Sequence, residues 1–304
     1  MGRVVAIANQ KGGVAKTTTA ANLGAALHEA GCRVLLVDMD PQASLTVWSG
    51  RNPDDLDKTT YDALVKDADA RDILLPTPLG PDLLPANIDL SLAEMELIHA
   101  YNRERRLAGM LAPVRDEYDF ILLDCQPSLG LLTINAFAAA DALLVPIVCE
   151  YLSTRAVDVL MRMVRKVQVQ LNSRLQVVGL LPTMYDGRLR HVRSELERLA
   201  ERFQDRAPVL LDCIVPRSVR FSEAAALGQS ILTYMPSHPG AEAHRRLAAH
   251  LLGQAAVSDV RQAAERAALA PAAADEVPLG EQAWAEEPRI DVLTRRQASP
   301  SRRR

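Results

Sequence analysis

Asn9-Gln10-Lys11-Gly12-Gly13-Val14-Ala15-Lys16-Thr17-Thr18-Thr19 is the stretch that sets the fold of this chain. It follows an apolar run, Val4–Ala8, and leads into a helical pattern with Ala20, Leu23, Gly24 and Leu27 on one face. A strand, a glycine-bearing turn and a helix start are the context a phosphate loop needs. Glycines let backbone N–H groups curl round an anion, and the helix N-terminus adds partial positive charge. Lys16 is placed to reach the β- and γ-phosphates of a nucleotide, and the Thr17 hydroxyl to bind Mg²⁺. Gly12, Gly13, Val14, Ala15 and Thr18 complete the expected nucleotide-binding set. The ordinary pattern G-x-x-x-x-G-K-[ST] is not met, because Gln10 and Ala15 stand where its glycines would be. The variant K-G-G-x-x-K-[ST]-T, with Lys11 and Lys16 five residues apart, is specific in its own right. Ala15 adds a methyl close to the phosphates. It is tolerated if φ is negative and costs about 1 kcal/mol or more if φ is positive. Its well-fitting neighbours favour the tolerated case.

Outward from the loop, short apolar runs alternate with helical stretches. Val34–Val37, Asp82–Leu84, Phe120–Leu123, Ala142–Val148, Gln176–Leu181 and Val209–Val215 read as further strands. Several are continuously apolar, as in parallel strands buried on both faces. The segment His191–Arg206 reads as an amphipathic helix, with Val192, Leu196, Leu199 and Phe203 on one face. The alternation predicts a doubly wound α/β domain, a mostly parallel sheet flanked by helices, over residues 1–252. Residues 253–304 are rich in Ala, Glu, Arg and Pro and read as a tail. A short helix is expected at Val257–Ala270 and disorder from Pro271 onward.

Composition narrows the function classes. Charged residues are 24% and the formal net charge is -3, so any nucleic-acid site must be a local patch. The four cysteines, Cys32, Cys125, Cys149 and Cys213, form no C-x-x-C pair and read as buried reduced thiols of a cytoplasmic protein. The histidines show no metal-binding spacing. Met1 leads directly into a strand-like run, unlike a signal peptide. No apolar run approaches membrane-spanning length, so no membrane partner is expected.

Three further motifs agree with the loop. Val34-Leu35-Leu36-Val37-Asp38-Met39-Asp40-Pro41-Gln42 delivers two carboxylates at a strand end, where ligands bind in open α/β sheets. Phe120-Ile121-Leu122-Leu123-Asp124-Cys125-Gln126-Pro127-Ser128 fits a Walker B strand, with Asp124 holding Mg²⁺ through a water. Ile214-Val215-Pro216-Arg217 leads to Glu223-Ala224. Together these motifs resemble the ParA/MinD family of deviant Walker A ATPases over about residues 3–250. The segments Ala140-Asp141-Ala142 and Cys149-Glu150-Tyr151 resemble it too. Gln126 stands where the family has its first proline, with little expected consequence.

The resemblance implies ATP and Mg²⁺ as cofactors and an ATP-dependent homodimer. Lys11 would reach the partner's phosphates, so that Lys11, Lys16 and Asp40 form the catalytic set, with Asp40 positioning the attacking water. Asp38 is a further metal-side candidate through a water, and Pro216 and Arg217 would contribute to the base pocket. Three functions compete within such folds: a DNA-segregating ParA, a MinD-like or other positioning ATPase acting on a membrane or protein assembly, and a metal-cluster or metabolic NTPase. The tail Thr294–Arg304 lacks the apolar face of a membrane-binding helix, and no cysteine pair suits a bridging cluster. The ParA reading implies slow, partner-stimulated hydrolysis, a ParB-like centromere-binding partner, nonspecific double-stranded DNA, and nucleoid association in the ATP state. Arg188, Arg190 and Arg193 are the expected DNA-binding residues, starting a helix whose N-terminus could also take a phosphate, with Arg217 and Arg220 extending the surface.

Overall fold

The computed structural model describes residues 1–150, 153–204, 208–254 and 263–264. Seven strands form one sheet: β1 Arg3–Ile7, β2 Val34–Met39, β3 Leu75–Pro76, β4 Asp82–Leu84, β5 Phe120–Cys125, β6 Ala142–Val148 and β7 Gln176–Thr183. Their order is β3-β4-β2-β5-β1-β6-β7, parallel throughout except for β3 against β4. The α-helices are α1 Lys16–Glu29, α2 Ser44–Trp48, α3 Thr60–Val65, α4 Leu90–Glu96, α5 Arg106–Leu111 and α6 Leu131–Ala139. They continue as α7 Ser153–Gln170, α8 Arg190–Phe203, α9 Arg220–Ala226, α10 Ile231–Tyr234 and α11 Pro239–Leu251.

Strand alternation divides the interior into two cores, one on each sheet face. Ala6, Leu35, Val37, Ile121 and Leu123 point to one side, where α6 (Phe137), α7 (Leu160) and α8 (Leu199) cover them. Val5, Ile7, Leu36 and Leu122 point to the other, under α1 (Leu23, Leu27) and α11 (Leu247). Both faces are covered, which is why the strands read as unbroken apolar runs. A Cβ on Gly24 would lie 2.8 Å from the Leu36 side chain, so glycine lets α1 press close to β2.

From β1 the chain runs outward through β2 to β4 and β3. It returns to insert β5 between β2 and β1, then passes β1 to build β6 and β7. The strand order therefore reverses at β1, and the crevice beyond the carboxyl ends of the strands there is the favoured ligand position.

The sequence reading is corrected in two elements. Val209–Val215 is not a strand. It meets β7 through the isolated bridge of Leu180 with Leu210 and the Val215 N–H on the Pro182 carbonyl at 2.9 Å, and Tyr185, beyond β7, bridges Pro216. The spacing is five residues on one side and six on the other, so a regular ladder cannot persist between them. The short antiparallel β3 was not foreseen. The compact unit runs from Met1 to Ala270, with Ala263 buried against the core. Apart from residues 263 and 264, the expected helix at Val257–Ala270 lies outside the described residues, as does the whole segment from Pro271.

Candidate functional site

The phosphate loop joins β1 to α1 and is tied down from several sides. The Asn9 side-chain amide donates to the Pro146 carbonyl at 2.8 Å, and its Oδ1 accepts the Lys11 N–H at 3.1 Å. The Thr183 hydroxyl, at the end of β7, bonds the carbonyls of Val14 at 3.1 Å and Ile147 at 3.0 Å. Motif reading gave Thr183 no role, because its partner lies far away in sequence.

The loop takes two left-handed turns, Gly13 at φ 70° and Ala15 at φ 61°. Ala15 is therefore in the costly conformation, not the tolerated one. The methyl strains the backbone by about 1–2 kcal/mol. The turn is held because the Ala15 carbonyl accepts both the N–H and the hydroxyl of Thr19, at 2.9 and 2.7 Å, fastening the first turn of α1.

Lys16 is buried, 7% exposed, and its ammonium donates to the Lys11 carbonyl at 3.3 Å. Burial lowers its pKa, while Asp124 and Asp40 act to raise it. Parallel pairing sets Ile7, Asp124 and Asp38 side by side across β1, β5 and β2. Two aspartates distant in sequence thus meet directly behind the loop.

The two carboxylates differ. Both oxygens of Asp38, expected as a further metal-side group through a water, accept protein donors. Oδ2 takes the N–H and hydroxyl of Thr46 at 2.9 and 2.7 Å, and Oδ1 takes the Asp40 N–H at 3.1 Å. Its pKa is pushed up to about 6, mainly by burial, against those bonds. It shapes the turn that carries Asp40.

Neither oxygen of Asp124 has a hydrogen-bond partner among the described residues, although the residue is 1% exposed. The Thr17 hydroxyl and Lys16 ammonium are close enough to favour its charged form without completing a bond. Burial and the Asp38 carboxylate hold its carboxyl well above the usual range. An orphaned buried carboxylate beside a threonine hydroxyl fits a hard cation with oxygen ligands, such as Mg²⁺.

This has a consequence for stability. A carboxyl whose folded pKa exceeds its unfolded value stabilises the fold when protonated. That stability falls as pH rises from about 4 towards the folded pKa. In the absence of nucleotide and metal, Asp124→Asn should therefore be more stable than the parent at pH 8, by about 1–3 kcal/mol. The gain should shrink near pH 4.5. Urea unfolding at both pH values measures it, and a variant less stable than the parent at pH 8 would contradict an uncompensated buried charge.

The arginines divide. Arg190 and Arg193 are exposed at the start of α8, and Arg217 is exposed beside Tyr185, whose carbonyl accepts its N–H at 2.9 Å. Pro216 sits at the same place, at the end of β7 that Thr183 ties to the phosphate loop. Arg188 is exposed but grips Asp186 through two bonds of 2.9 and 2.8 Å, holding that carboxyl down to about 2. It lies in the loop before α8, not in the helix. Arg220 does not extend the surface: its side chain is 11% exposed and pairs with Glu223 at 2.8 Å. Gln126, in turn, donates to Glu94 of α4 at 3.1 Å, a tie that a proline could not make.

With this geometry in place, comparison with known proteins decides the family. The AAA domain family matches residues 2–177. The sporulation initiation inhibitor protein Soj of Bacillus subtilis is 45% identical over 249 residues, covering 82% of this chain and 97% of that one. The chromosome partitioning protein ParA of Myxococcus xanthus is 42% identical over 253 residues, covering 83% and 88%. The chain belongs to the ParA/Soj family of P-loop ATPases. A crystal structure of cobyrinic acid a,c-diamide synthase from Mycobacterium smegmatis with bound ADP and magnesium is similar too. Its TM-score is 0.73 and its identity 42%, covering 83% of this chain and 94% of that one. For a ParA/Soj chain, the left-handed Ala15 and the Asp38–Thr46 bonds are the features that the loop and strand motifs did not reveal. Among the described residues, no helix is long and apolar enough to cross a membrane.

Proposed function

We propose that the chain is an ATP-dependent dimerising switch. It would bind nonspecific duplex DNA and partition chromosome or plasmid DNA with a ParB-like centromere-binding partner. The observation that carries the reading is the grouping of Lys16, Thr17, Asp40 and the orphaned Asp124 around one strained loop. Bound Mg-ATP would supply the phosphoanhydride to be cleaved. Backbone N–H groups of residues 12–18 and the Lys16 ammonium hold the phosphates. Thr17 and, through a water, Asp124 hold the metal. Asp40 orients the attacking water, Pro216 and Arg217 border the base, and Lys11 is offered to a second copy. Hydrolysis is slow until the partner stimulates it, and the ATP state resides on the nucleoid.

The name of the M. smegmatis structure denotes amide synthesis. Nucleophilic chemistry on a thiol requires an activated cysteine. Burial instead raises the thiol pKa of Cys32, Cys125, Cys149 and Cys213. The relative named as a chromosome partitioning protein supports a partition role more directly.

DNA binding is tested with the two exposed arginines of α8, Arg190 and Arg193. Arg190→Glu with Arg193→Glu should leave ATP affinity intact and remove most ATP-dependent binding of duplex DNA. If the dimer thereby loses four phosphate contacts, the log–log salt slope should fall by about 3.6, at about 0.9 per contact. Fluorescence anisotropy across a salt series measures both, and an unchanged affinity and slope would mark these arginines as a solvated face.

A further inference from the structure

We propose that Asp212, Cys213 and His250 form a zinc site that ties the segment before Pro216 to α11. The carboxylate, thiol and imidazole each offer one ligand atom, and the three atoms lie within 4.8 Å of one another. A set that mixes carboxylate oxygen, thiolate sulfur and imidazole nitrogen suits zinc better than magnesium or calcium, which prefer oxygen alone.

The local backbone brings the ligands together. In a regular strand the neighbours Asp212 and Cys213 would point to opposite faces. Val209–Val215 keeps no regular ladder with β7, and both residues reach the same imidazole on α11. Arg246 and His250 stand one turn apart on α11 and so share a face. Asp212 and His250 are 38 residues apart, which is why no motif spacing revealed the cluster. The Asp212 Oδ1 is 2.8 Å from His250 Nε2 and 3.8 Å from Cys213 Sγ. Tetrahedral zinc, with bonds of about 2.0–2.3 Å, sets its ligand atoms about 3.3–3.8 Å apart. Side-chain shifts of about 1 Å therefore admit the ion. The other carboxylate oxygen, Oδ2, accepts a bond from Arg246, the kind of outer contact that orients a ligating carboxylate.

The charges balance. Burial and the neighbouring Asp212 hold the Cys213 thiol above its ordinary range, so it keeps its proton until a metal arrives. Zinc binding forms the Zn–S bond and releases that proton to solvent. The imidazole binds through Nε2 and keeps its proton on Nδ1, and a water takes the fourth position. The thiolate and the carboxylate then cancel the two charges of the metal, so Arg246 faces no net positive ion. Asp212 and Cys213 are buried, whereas the Arg246 side chain is 32% exposed, which places the site just beneath the surface.

The test uses the full chain, stripped of metal with a chelator and free of nucleotide, in equilibrium dialysis against Zn²⁺ and in titration with Co²⁺. One zinc should bind per chain at about 10 μM free Zn²⁺. Co²⁺ should give the intense charge-transfer absorption of a thiolate ligand. Cys213→Ser should remove that absorption and weaken zinc binding by more than the roughly 10–100-fold that loss of an outer contact costs. His250→Gln, which can still donate to Asp212, should weaken zinc binding to a similar degree, and melting temperatures show that each variant is folded. Cys125→Ser, next to Asp124 of the nucleotide site, should keep both the absorption and the zinc. If the parent takes up no zinc at this concentration, or if either folded ligand variant binds zinc as the parent does, the site is refuted and the cluster is an ion-pair network of the core alone.

Discussion

Lys16→Ala should abolish ATP binding, with a loss of affinity of about a hundredfold or more in a calorimetric titration. The side chain is 7% exposed and its ammonium is held at the loop by the Lys11 carbonyl. Each hydrogen bond from a charged donor is worth about 1.5–3 kcal/mol, and contacts to both β- and γ-phosphates give about 3–6 kcal/mol. Asp124 and Asp40 both lie close enough to Lys16 to act on its ammonium. Its removal leaves these carboxylates facing an incoming triphosphate with nothing to offset them. The variant should still fold, because Asp124 can take up a proton. Nucleotide affinity within a factor of about three of the parent would remove Lys16 from the phosphate site.

Asp40→Ala should separate binding from turnover. Asp40 is half-buried, its Oδ1 accepts the Gln42 N–H at 3.0 Å, and it stands close enough to Lys16 to act on its pKa. Orienting or deprotonating a water typically contributes about 10²–10⁴ in rate. The variant should therefore lose about that factor in ATP hydrolysis while nucleotide affinity changes little, and it should accumulate as the ATP-bound dimer. Single-turnover phosphate release measures the loss. A parental rate would move the role away from Asp40, and Asp38 could not simply replace it, since its oxygens are engaged with Thr46 and the Asp40 backbone.

What was legible in the sequence was local. The loop from Asn9 to Thr19, the strands β1, β2, β5, β6 and β7, and the amphipathic α8 all carry their signal within a few residues. Burial on both sheet faces made the strands stand out as apolar runs. What was not legible depends on pairing between distant segments. The row of Asp38, Asp124 and Ile7 exists only because β5 inserts between β1 and β2. The two aspartates diverge, one bonded to Thr46 and the other without a hydrogen-bond partner among the described residues. Val209–Val215 has strand composition, yet a single extra residue against β7 breaks its ladder. The arginines were individually visible, but their partners were not: Asp186 sits just before the basic segment, and Glu223 one helical turn after Arg220. Ala15 shows the limit most clearly, because motif agreement around it pointed to negative φ and the backbone is left-handed.

Nucleotide state should control association with both a second copy and DNA. Sedimentation velocity with a fluorescent duplex of arbitrary sequence tests it, using no nucleotide, Mg-ADP or Mg-ATP, with hydrolysis blocked by Asp40→Ala. A monomer without DNA is expected in the first two conditions and a DNA-bound dimer in the third. A monomer in Mg-ATP, or equal DNA binding in all three conditions, would contradict it.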